Sequence, residues 1–503
     1  MLIVEPRNRL PEIAINGALF AGALLIRLAA IWIWRFDGLY GQDAFAYYQQ
    51  ALAIAERAPQ GLLPPTDFFW PNGYPLLAAL FMGLLGRSEL AAQLVNLLCG
   101  AALSPLVYAL SRDLFPKIGR RAGVWAGLIV AVAGQPILSS IVIMADIPAL
   151  FWATLAAWWL VRAWQPPSVR AGFLLLAGLA LGLAAATRWV YVLLALPFAA
   201  YALAQTGRRQ WRSLLLPVVG GLSVLLPQVW LSLNRPESLL HSWLLNWRIS
   251  NGWGRQFAHI DGDYTYPLPV GIYYLQPLAH PNYMLPVLGL AALWGMWHLW
   301  RSRAWAALVL LGGWFGVVYL FLAGIPYENF RFGLTLYLPA VLLAGLGVER
   351  LRAAPPVKIE RRMWERAVHI VVVASLLGMG LWAVRSMDRF LSAQNQSKAT
   401  AQAVARIPPA NASVLAFGLT LTLQHYTDLH VVEFYNLNPE TLDAATTSAA
   451  PVYLLVDPVN IAQQWQERPP AINYQWLQAH RMLTRLADFP PYSLFQITGG
   501  VGL

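Results

Sequence analysis

The sequence predicts a polytopic α-helical membrane protein of about eleven transmembrane helices, followed by a small C-terminal extracytoplasmic α/β domain. Three observations predict it. The 503 residues are 58% hydrophobic and only 12% charged, whereas a soluble domain carries about a quarter charged residues. Mainly apolar runs of about 17–25 residues, the length at which a helix crosses a bilayer, recur along three quarters of the chain. The basic residues gather in every second gap between these runs, as the positive-inside rule requires.

The runs fall near 13–34, 89–111, 122–141, 144–162, 171–187, 189–205, 213–233, 283–300, 304–323, 333–350 and 368–385. The first follows Arg7 and Arg9 and continues through Trp34 without a small-residue cleavage site, so it reads as a retained helix rather than a removable signal. One set of gaps holds Arg112/Lys117/Arg120/Arg121, Arg162/Arg170, Arg208/Arg209/Arg212, Arg301/Arg303 and Arg350 to Arg366. That set is assigned to the cytoplasm together with the N-terminus. The opposite face receives residues 35–88, the tight turns near 142 and 188, residues 234–282 and 324–332, and everything after 386. The predicted domains are therefore 1–385 in the membrane and 386–503 outside it. The abundance of Ala, Leu, Arg and Trp points to a bacterial inner (plasma) membrane.

Within 35–88, Asp43–Arg57 has apolar residues at helical spacing and Pro75–Leu85 is too short to span, so both read as helices along the membrane surface. The 234–282 loop carries Trp243, Trp247, Trp253, Tyr264, Tyr266, Tyr273 and Tyr274, which suit an interface. In the tail, Ser413–Phe417, His430–Tyr435, Val452–Val456 and Tyr492–Ile497 read as strands. Thr420–Tyr426, Pro439–Ala445 and Ile461–Glu467 read as helices between them, giving an α/β domain.

The net charge of +11 follows the topology signals rather than one basic face, which argues against a nucleic-acid partner. The single cysteine, Cys99, excludes an intrachain disulfide and a cysteine metal cluster. Asp261-Gly262-Asp263 lacks the later ligands of a calcium loop and reads as a turn. His241, His259 and His280 are spaced too irregularly for a zinc site, and their loop reads as a mobile cover.

Carboxylates near a bilayer are costly unless paired or used, so two of them stand out. Asp43 lies in Gly41-Gln42-Asp43-Ala44-Phe45-Ala46-Tyr47-Tyr48, and Asp146 in Met144-Ala145-Asp146-Ile147-Pro148. Both fall at predicted outer helix ends, where a carboxylate in a partly dry site can act as a general base. Each reads equally as a helix cap. Arg27, inside the first run, reads as pairing within the bundle.

These segments, with Trp70-Pro71-Asn72-Gly73-Tyr74-Pro75-Leu76-Leu77, Asn96, Tyr108-x-x-x-Arg112 and Leu114-Phe115, resemble the GT-C superfamily of glycosyltransferases. The nearest likeness is to bacterial members of the protein-mannosyltransferase and lipid A aminoarabinose-transferase group. The resemblance is strongest over residues 10–200. It implies an inverting transfer from a polyprenyl-phosphate-linked sugar donor to a lipid, glycan or protein acceptor on the outer face, within the membrane lipids. Asp43 matches the catalytic aspartate that deprotonates the acceptor hydroxyl, and Asp146 a second acidic position that orients the acceptor or a divalent metal ion. Many relatives place another acid directly after the first aspartate, where this chain has Ala44. Arg331, in Tyr327-Glu328-Asn329-Phe330-Arg331-Phe332, matches the late cation that contacts carrier phosphate, and Arg188 lies on the same predicted side. Both read alternatively as snorkelling to headgroups. Glu328 reads as pairing with Arg331 or holding sugar, and Tyr47 as a sugar contact. The tail is assigned acceptor recognition by analogy alone. A lipid-linked-sugar transporter or flippase is the competing reading, and an inactive GT-C-like scaffold the third. A transporter calls for inverted repeats and broken helices, neither of which the sequence displays.

Overall fold

A computed structural model describes residues 9–66, 68–165, 169–206, 211–233, 245–259, 262–356, 359–447 and 450–499. Arg7, Arg208, Arg209, His241, Trp243, Asp261 and Lys358 lie outside the described residues. The chain divides into two compact units. One comprises Met1–Leu39, Ala46–Trp253 and Pro269–Asp388; the other comprises Tyr40–Phe45, Gly254–Leu268 and Arg389–Leu503.

The first unit is helical. In chain order it is built from α1 (Arg9–Trp34), most of α2 (Gly41–Arg57), α3 (Gly73–Leu85), α4 (Glu89–Leu114), α5 (Gly119–Val132), α6 (Gly134–Ile141), α7 (Asp146–Ala163) and α8 (Ala171–Thr187). There follow a 3-10 turn (Trp189–Leu194) running into α9 (Ala195–Gln205), then α10 (Leu215–Leu233), α11 (Pro286–Arg301), α12 (Trp305–Gly324), α13 (Leu334–Ala353) and the first part of α14 (Arg361–Val404). Every apolar run falls on helical structure. Among the described residues six helices are long and apolar enough to cross a membrane, or seven if one bent pair counts as a span, which makes the chain a multi-pass membrane protein. Length and composition alone mark six or seven of these helices as crossings and do not establish the eleven expected. At about 1.5 Å per residue, α8 with its 17 residues falls short of a hydrocarbon core about 30 Å thick.

The third run, expected as one helix, is broken: α5 and α6 meet at 57°. Ala133 adopts an extended conformation (φ −66°, ψ 132°), and Pro136 has no N–H to continue the ladder. The Gln135 N–H turns instead to the Asn282 carbonyl at 2.8 Å. A broken helix is therefore present, contrary to the sequence expectation.

Helix α13 is the buried axis of this unit, whereas α10 keeps most of its surface outward. Close approach is enforced by glycine. A Cβ at Gly347 would lie 1.8 Å from the Ala291 carbonyl oxygen, and one at Gly295 would lie 2.2 Å from that of Leu343. Small residues at facing positions let helix backbones touch where apolar transfer supplies no drive. Trp314 of α12 closes the packing by donating Nε1–H to the Thr335 carbonyl at 2.8 Å.

Ionisable side chains collect at the two ends of these helices. At one end Arg112 bridges Glu12 at 2.9 Å and Asp113 at 2.8 Å, while Trp158 donates to Asp113 at 2.9 Å. This joins the start of α1 to the last turns of α4 and α7. The other end of α7 begins with Asp146. Arg27 is the exception: fully buried within α1, it bonds the Ala23 carbonyl of its own helix at 2.9 Å rather than an acidic partner as expected.

The second unit contains β1 (Gln256–His259) and β2 (Gly262–Thr265), an antiparallel hairpin, and a mixed five-stranded sheet. Along the tail run β3 (Ser413–Ala416), α15 (Thr420–Tyr426), β4 (His430–Glu433), α16 (Pro439–Thr446), β5 (Val452–Val456), α17 (Pro458–Gln463), α18 (Pro469–His480), β6 (Met482–Phe489) and β7 (Tyr492–Thr498). Their spatial order is β4-β3-β5-β7-β6, with β4, β3 and β5 parallel and β7 and β6 antiparallel to their neighbours. Both faces are covered. Val414, Leu423, Leu455 and Leu494 lie in one core; Leu415, Phe434, Leu454 and Leu477 lie in the other. Gly262 and Asp263, expected in a turn, begin β2, where Asp263 N–H meets the Gln464 carbonyl at 2.9 Å. The expected helix at Ile461–Glu467 starts and ends earlier, because Asp457 caps Val459 and Asn460 and Pro458 sits at the first position.

Gly347→Ala should destabilise the protein by about 1–3 kcal/mol through overpacking. Gly17→Ala, which meets nothing within 4 Å, should be neutral or raise stability by about 0.5–1 kcal/mol. Thermal unfolding in detergent checks both, and equal effects at the two sites would contradict this packing.

Candidate active site

The site is built where α7, α8 and the segment before α13 meet. Asp146 opens α7, Arg188 follows the last residue of α8, and Arg331 lies in a 3-10 turn (Phe330–Gly333) leading into α13. Polar side chains of α4 fix the approach to Asp146. Gln93 Nε2 donates to the Ile141 carbonyl at 2.6 Å and Asn96 Nδ2 to that of Met144 at 2.6 Å. Ile143 N–H bonds the Gly38 carbonyl at 2.9 Å. The irregular stretch between α6 and α7 is thereby held although it is buried, as backbone at membrane depth must be.

Asp146 is almost wholly buried, and its Oδ1 accepts a short hydrogen bond from Arg188 Nη1. The Arg188 guanidinium lies 4.6 Å from the Phe332 ring centroid, within cation–π range. The neighbouring Arg331 places Nη1 2.6 Å from Met144 Sδ and its guanidinium 5.8 Å from the same Phe332 ring. Phe332 and Met144 thus tie Asp146, Arg188 and Arg331 into one cluster. Asp146 does not cap its helix as expected: the cap position is Ala145, and the Asp146 carboxylate bonds Arg188 instead. Asn329 instead caps its own turn, its Oδ1 accepting from Arg331 N–H at 3.2 Å.

Glu328 is buried in the same segment. The segment is held from outside α13 by two tyrosines: Tyr274 donates to the Tyr327 carbonyl at 2.8 Å, and Tyr283 donates to that of Phe330. Burial pushes the Tyr274 hydroxyl well above its usual range, so it stays a neutral donor. His280 packs edge-on against Phe330 at 4.8 Å, and its Nδ1 accepts the Asn282 N–H at 3.2 Å. Burial lowers the His280 pKa, which favours the neutral ring this acceptor role needs.

Tyr47 lies in an aromatic nest, stacked on Trp70 at 5.3 Å and edge-on to Tyr74 at 5.4 Å and Phe68 at 5.4 Å. The Pro71-Asn72-Gly73-Tyr74 segment beside it is a joint. Asn72 accepts from Gln50 at 2.9 Å and donates its N–H to Gln228 at 3.0 Å. A Cβ on Gly73 would lie 2.6 Å from the Ala186 carbonyl, so the joint backs onto the residues that lead into Arg188. Tyr74 completes it by donating to the Ala92 carbonyl at 3.2 Å.

Asp43 belongs to the other unit. It occupies the first turn of α2 and is half-buried, while the next two residues, Ala44 and Phe45, are fully enclosed. Burial of Ala44 accounts for the missing second acid, because an ionised carboxylate there would be desolvated. Among the described residues no three of His, Cys, Asp and Glu gather closely enough to hold a metal ion. Asp146 already receives its positive partner from Arg188. With Arg188 on its carboxylate, Asp146 does not fit a divalent metal.

Sequence reasoning found Asp146, Arg188 and Arg331 but missed Phe332 and Met144, which join them. Both stand beside a named residue in the chain. Only folding shows Phe332 against both Arg188 and Arg331, and Met144 against Arg331.

A family model of dolichyl-phosphate-mannose-protein mannosyltransferase matches residues 71–232. Among solved structures, the fold is similar to ArnT from Cupriavidus metallidurans bound to undecaprenyl phosphate, at 15% identity and a TM-score of 0.61 over 94% of this chain and 97% of that one. It is also similar to the oligosaccharyltransferase AglB from Archaeoglobus fulgidus in complex with an inhibitory peptide and a dolichol-phosphate, at 10% identity and a TM-score of 0.57 over 97% and 74%. The arabinofuranosyltransferase AftD from Mycobacteria matches at 13% identity and a TM-score of 0.51 over 96% and 40%. No curated protein sequence matches. The chain has the fold these GT-C glycosyltransferases share, which bears out the resemblance read from its motifs.

The pair at Asp146 and Arg188 is asymmetric, with side-chain exposures of 4% and 17%. Arg188→Met strands a buried carboxylate and should cost about 3–5 kcal/mol of stability. Asp146→Asn leaves a cation that still has Phe332 and partial exposure, so it should cost less. Thermal unfolding of the two variants in detergent checks the order, and a greater loss for Asp146→Asn would contradict it.

Proposed function

We propose that this chain is an inverting glycosyltransferase that moves a sugar from a polyprenyl-phosphate-linked donor to an acceptor on the extracytoplasmic face of the bacterial inner membrane. Residues 1–385 form its catalytic membrane domain and 386–503 its extracytoplasmic domain. The observation that carries the reading is the convergence of Arg188 and Arg331 on Phe332, with Asp146 locked to Arg188. Two guanidinium groups at the ends of apolar helices make a site suited to an anionic headgroup, because the planar fork matches phosphate.

The reaction on this reading is a single displacement. Asp43 takes the proton of the acceptor hydroxyl as its oxygen attacks the anomeric carbon. The bond between that carbon and the phosphate oxygen breaks, its electron pair leaves with the polyprenyl phosphate, and the configuration inverts. Arg331 and the remaining N–H groups of Arg188 stabilise the charge that grows on the departing phosphate. Asp146 acts through Arg188, fixing its plane. Tyr47 and Glu328 are assigned to the sugar side. The solved structures of ArnT with undecaprenyl phosphate and of AglB with a dolichol-phosphate support a carrier of this class.

The broken α5–α6 pair is a feature that a transporter would use. Here, however, the Gln135 N–H that leaves the helical ladder at the break meets the Asn282 carbonyl, and the carbonyls of Ile141 and Met144 that follow α6 meet Gln93 and Asn96. The break serves packing, and transfer remains the better reading.

Lipid extracts from cells with the native protein, with Asp43→Asn and without the gene test it by mass spectrometry. One polyprenyl-phosphate sugar should accumulate equally in the variant and the deletion. A native-like extract from Asp43→Asn beside an altered deletion extract would sink the assignment of Asp43 as base.

A further inference from the structure

We infer that the tail unit sets the position of Asp43 by gripping the residues on either side of it. This rests on the reading of Asp43 as the base. Residues 40–45 cluster with 389–503 rather than with the helices that flank them in sequence. Tyr40, three positions before Asp43, meets the ring of Phe390 edge-on at 4.8 Å. Phe45, two positions after it, is only 1% exposed, and its ring lies 5.5 Å from that of His425 and 6.1 Å from that of Tyr426. Asp43 therefore sits in a helical turn pinned at both ends by aromatic contacts.

The grip is itself anchored to the sheet. His425 and Tyr426 close α15, and the two rings meet edge-on at 4.7 Å. Lys398 Nζ stands 4.2 Å from the Tyr426 ring centroid, a cation–π contact with the same ring. Helix α15 is fixed by Leu423, fully buried in one sheet core. Thr420 Oγ1 bonds the Ala416 carbonyl at 2.9 Å, and Gln424 Nε2 bonds that of Val431 at 3.0 Å. An unbroken run of packed groups thus connects strands β3 and β4 to the turn that carries Asp43. A catalytic base must be held to a fraction of an ångström, and a displacement of about 1 Å can cost on the order of a hundredfold in rate. Phe45, His425 and Tyr426 are positioning residues on this view, and the tail is part of the catalytic apparatus rather than an acceptor module alone.

The test compares Tyr426→Ala, Tyr426→Phe and Asp43→Asn, alone and combined, in the full-length protein. Two quantities are read: the chase of radiolabel out of the lipid-linked sugar pool in cells, and binding of undecaprenyl phosphate to purified protein. Tyr426→Ala should slow the chase at least tenfold with carrier binding unchanged, Tyr426→Phe should restore it, and Tyr426→Ala should add nothing once Asp43 is Asn. A native chase rate in Tyr426→Ala alongside a dead Asp43→Asn overturns the inference and leaves the base assignment standing. Loss of carrier binding in Tyr426→Ala also overturns it, since the ring would then serve folding in general. Failure of Tyr426→Phe to restore turnover overturns it too, because the hydroxyl rather than the ring contact would then be needed. Native turnover in Asp43→Asn removes the underlying reading itself.

Discussion

The rest of the structure depends on the exclusion of charge from the apolar interior of the helices. An ionised group there costs several kcal/mol unless it is paired or reaches the interface. Arg27 apart, the chain obeys by sending carboxylates and guanidinium groups to helix ends, and α7 shows it most clearly. Its first residue, Asp146, takes Arg188, while Trp158 and Arg162 in its last turns reach Asp113 beside Glu12 and Arg112. Two polar clusters on opposite ends of one helix fix the direction in which that helix runs. They also separate the chemistry: Arg331 and Phe332 join only the Asp146 end, so whatever site these groups form is confined to that side.

The same dryness governs the backbone. A broken helix frees N–H and carbonyl groups that water cannot satisfy, so side chains must meet them. Carboxamides do this here, because one such group can donate and accept at once. Gln93 and Asn96 from α4 and the Asn282 backbone hold the chain from Gln135 to Met144, and that hold decides where α7 begins. The polar residues of α4 thus have a structural duty that ends in the placement of Asp146. A break whose freed backbone groups are met on both sides suits a fixed site better than a moving gate.

How much of this was legible follows from which signals are local. The apolar runs, the tail strands at Val452–Val456 and Tyr492–Thr498 and the helix Thr420–Tyr426 are short-range patterns, and each was readable. The break at Ala133 was not. Its cause is a bond to Asn282, some 150 residues away; Pro136 alone marks only a permissible helix start. Strand β6, Met482–Phe489, was missed because it is an edge strand with a register shift between Arg485 and Ala487, so its alternation is interrupted. In the site, charge is what a sequence displays, and the charged residues were found. Phe332 and Met144 were invisible as participants, since an aromatic ring and a thioether in an apolar chain are ordinary filling until guanidinium groups are seen against them. The Trp70–Leu77 motif was noticed for its likeness, yet its physical reason is a backbone contact at Gly73 that no composition reveals.

The charge balance of the proposed reaction closes the argument. A displacement at an anomeric carbon begins with a carboxylate and ends with a phosphate bearing more charge than it had in the donor. A metal ion would serve both stages, but it needs a cluster of oxygens, and the position after Asp43 is a fully enclosed alanine. On the proposed reading the requirement is met differently. On that reading Asp43 stands as a single acid in a turn flanked by the aromatic contacts of Tyr40 and Phe45. The positive charge is carried by guanidinium groups that cannot be deprotonated and need no reorganisation when the leaving group forms. Asp146, on this account, is the counter-charge that allows a guanidinium to remain in an apolar setting between turnovers. Removing it would leave the chemistry its base and its cations, but would free the plane of Arg188, so its effect should appear in the affinity for the carrier phosphate before it appears in the fate of the acceptor proton.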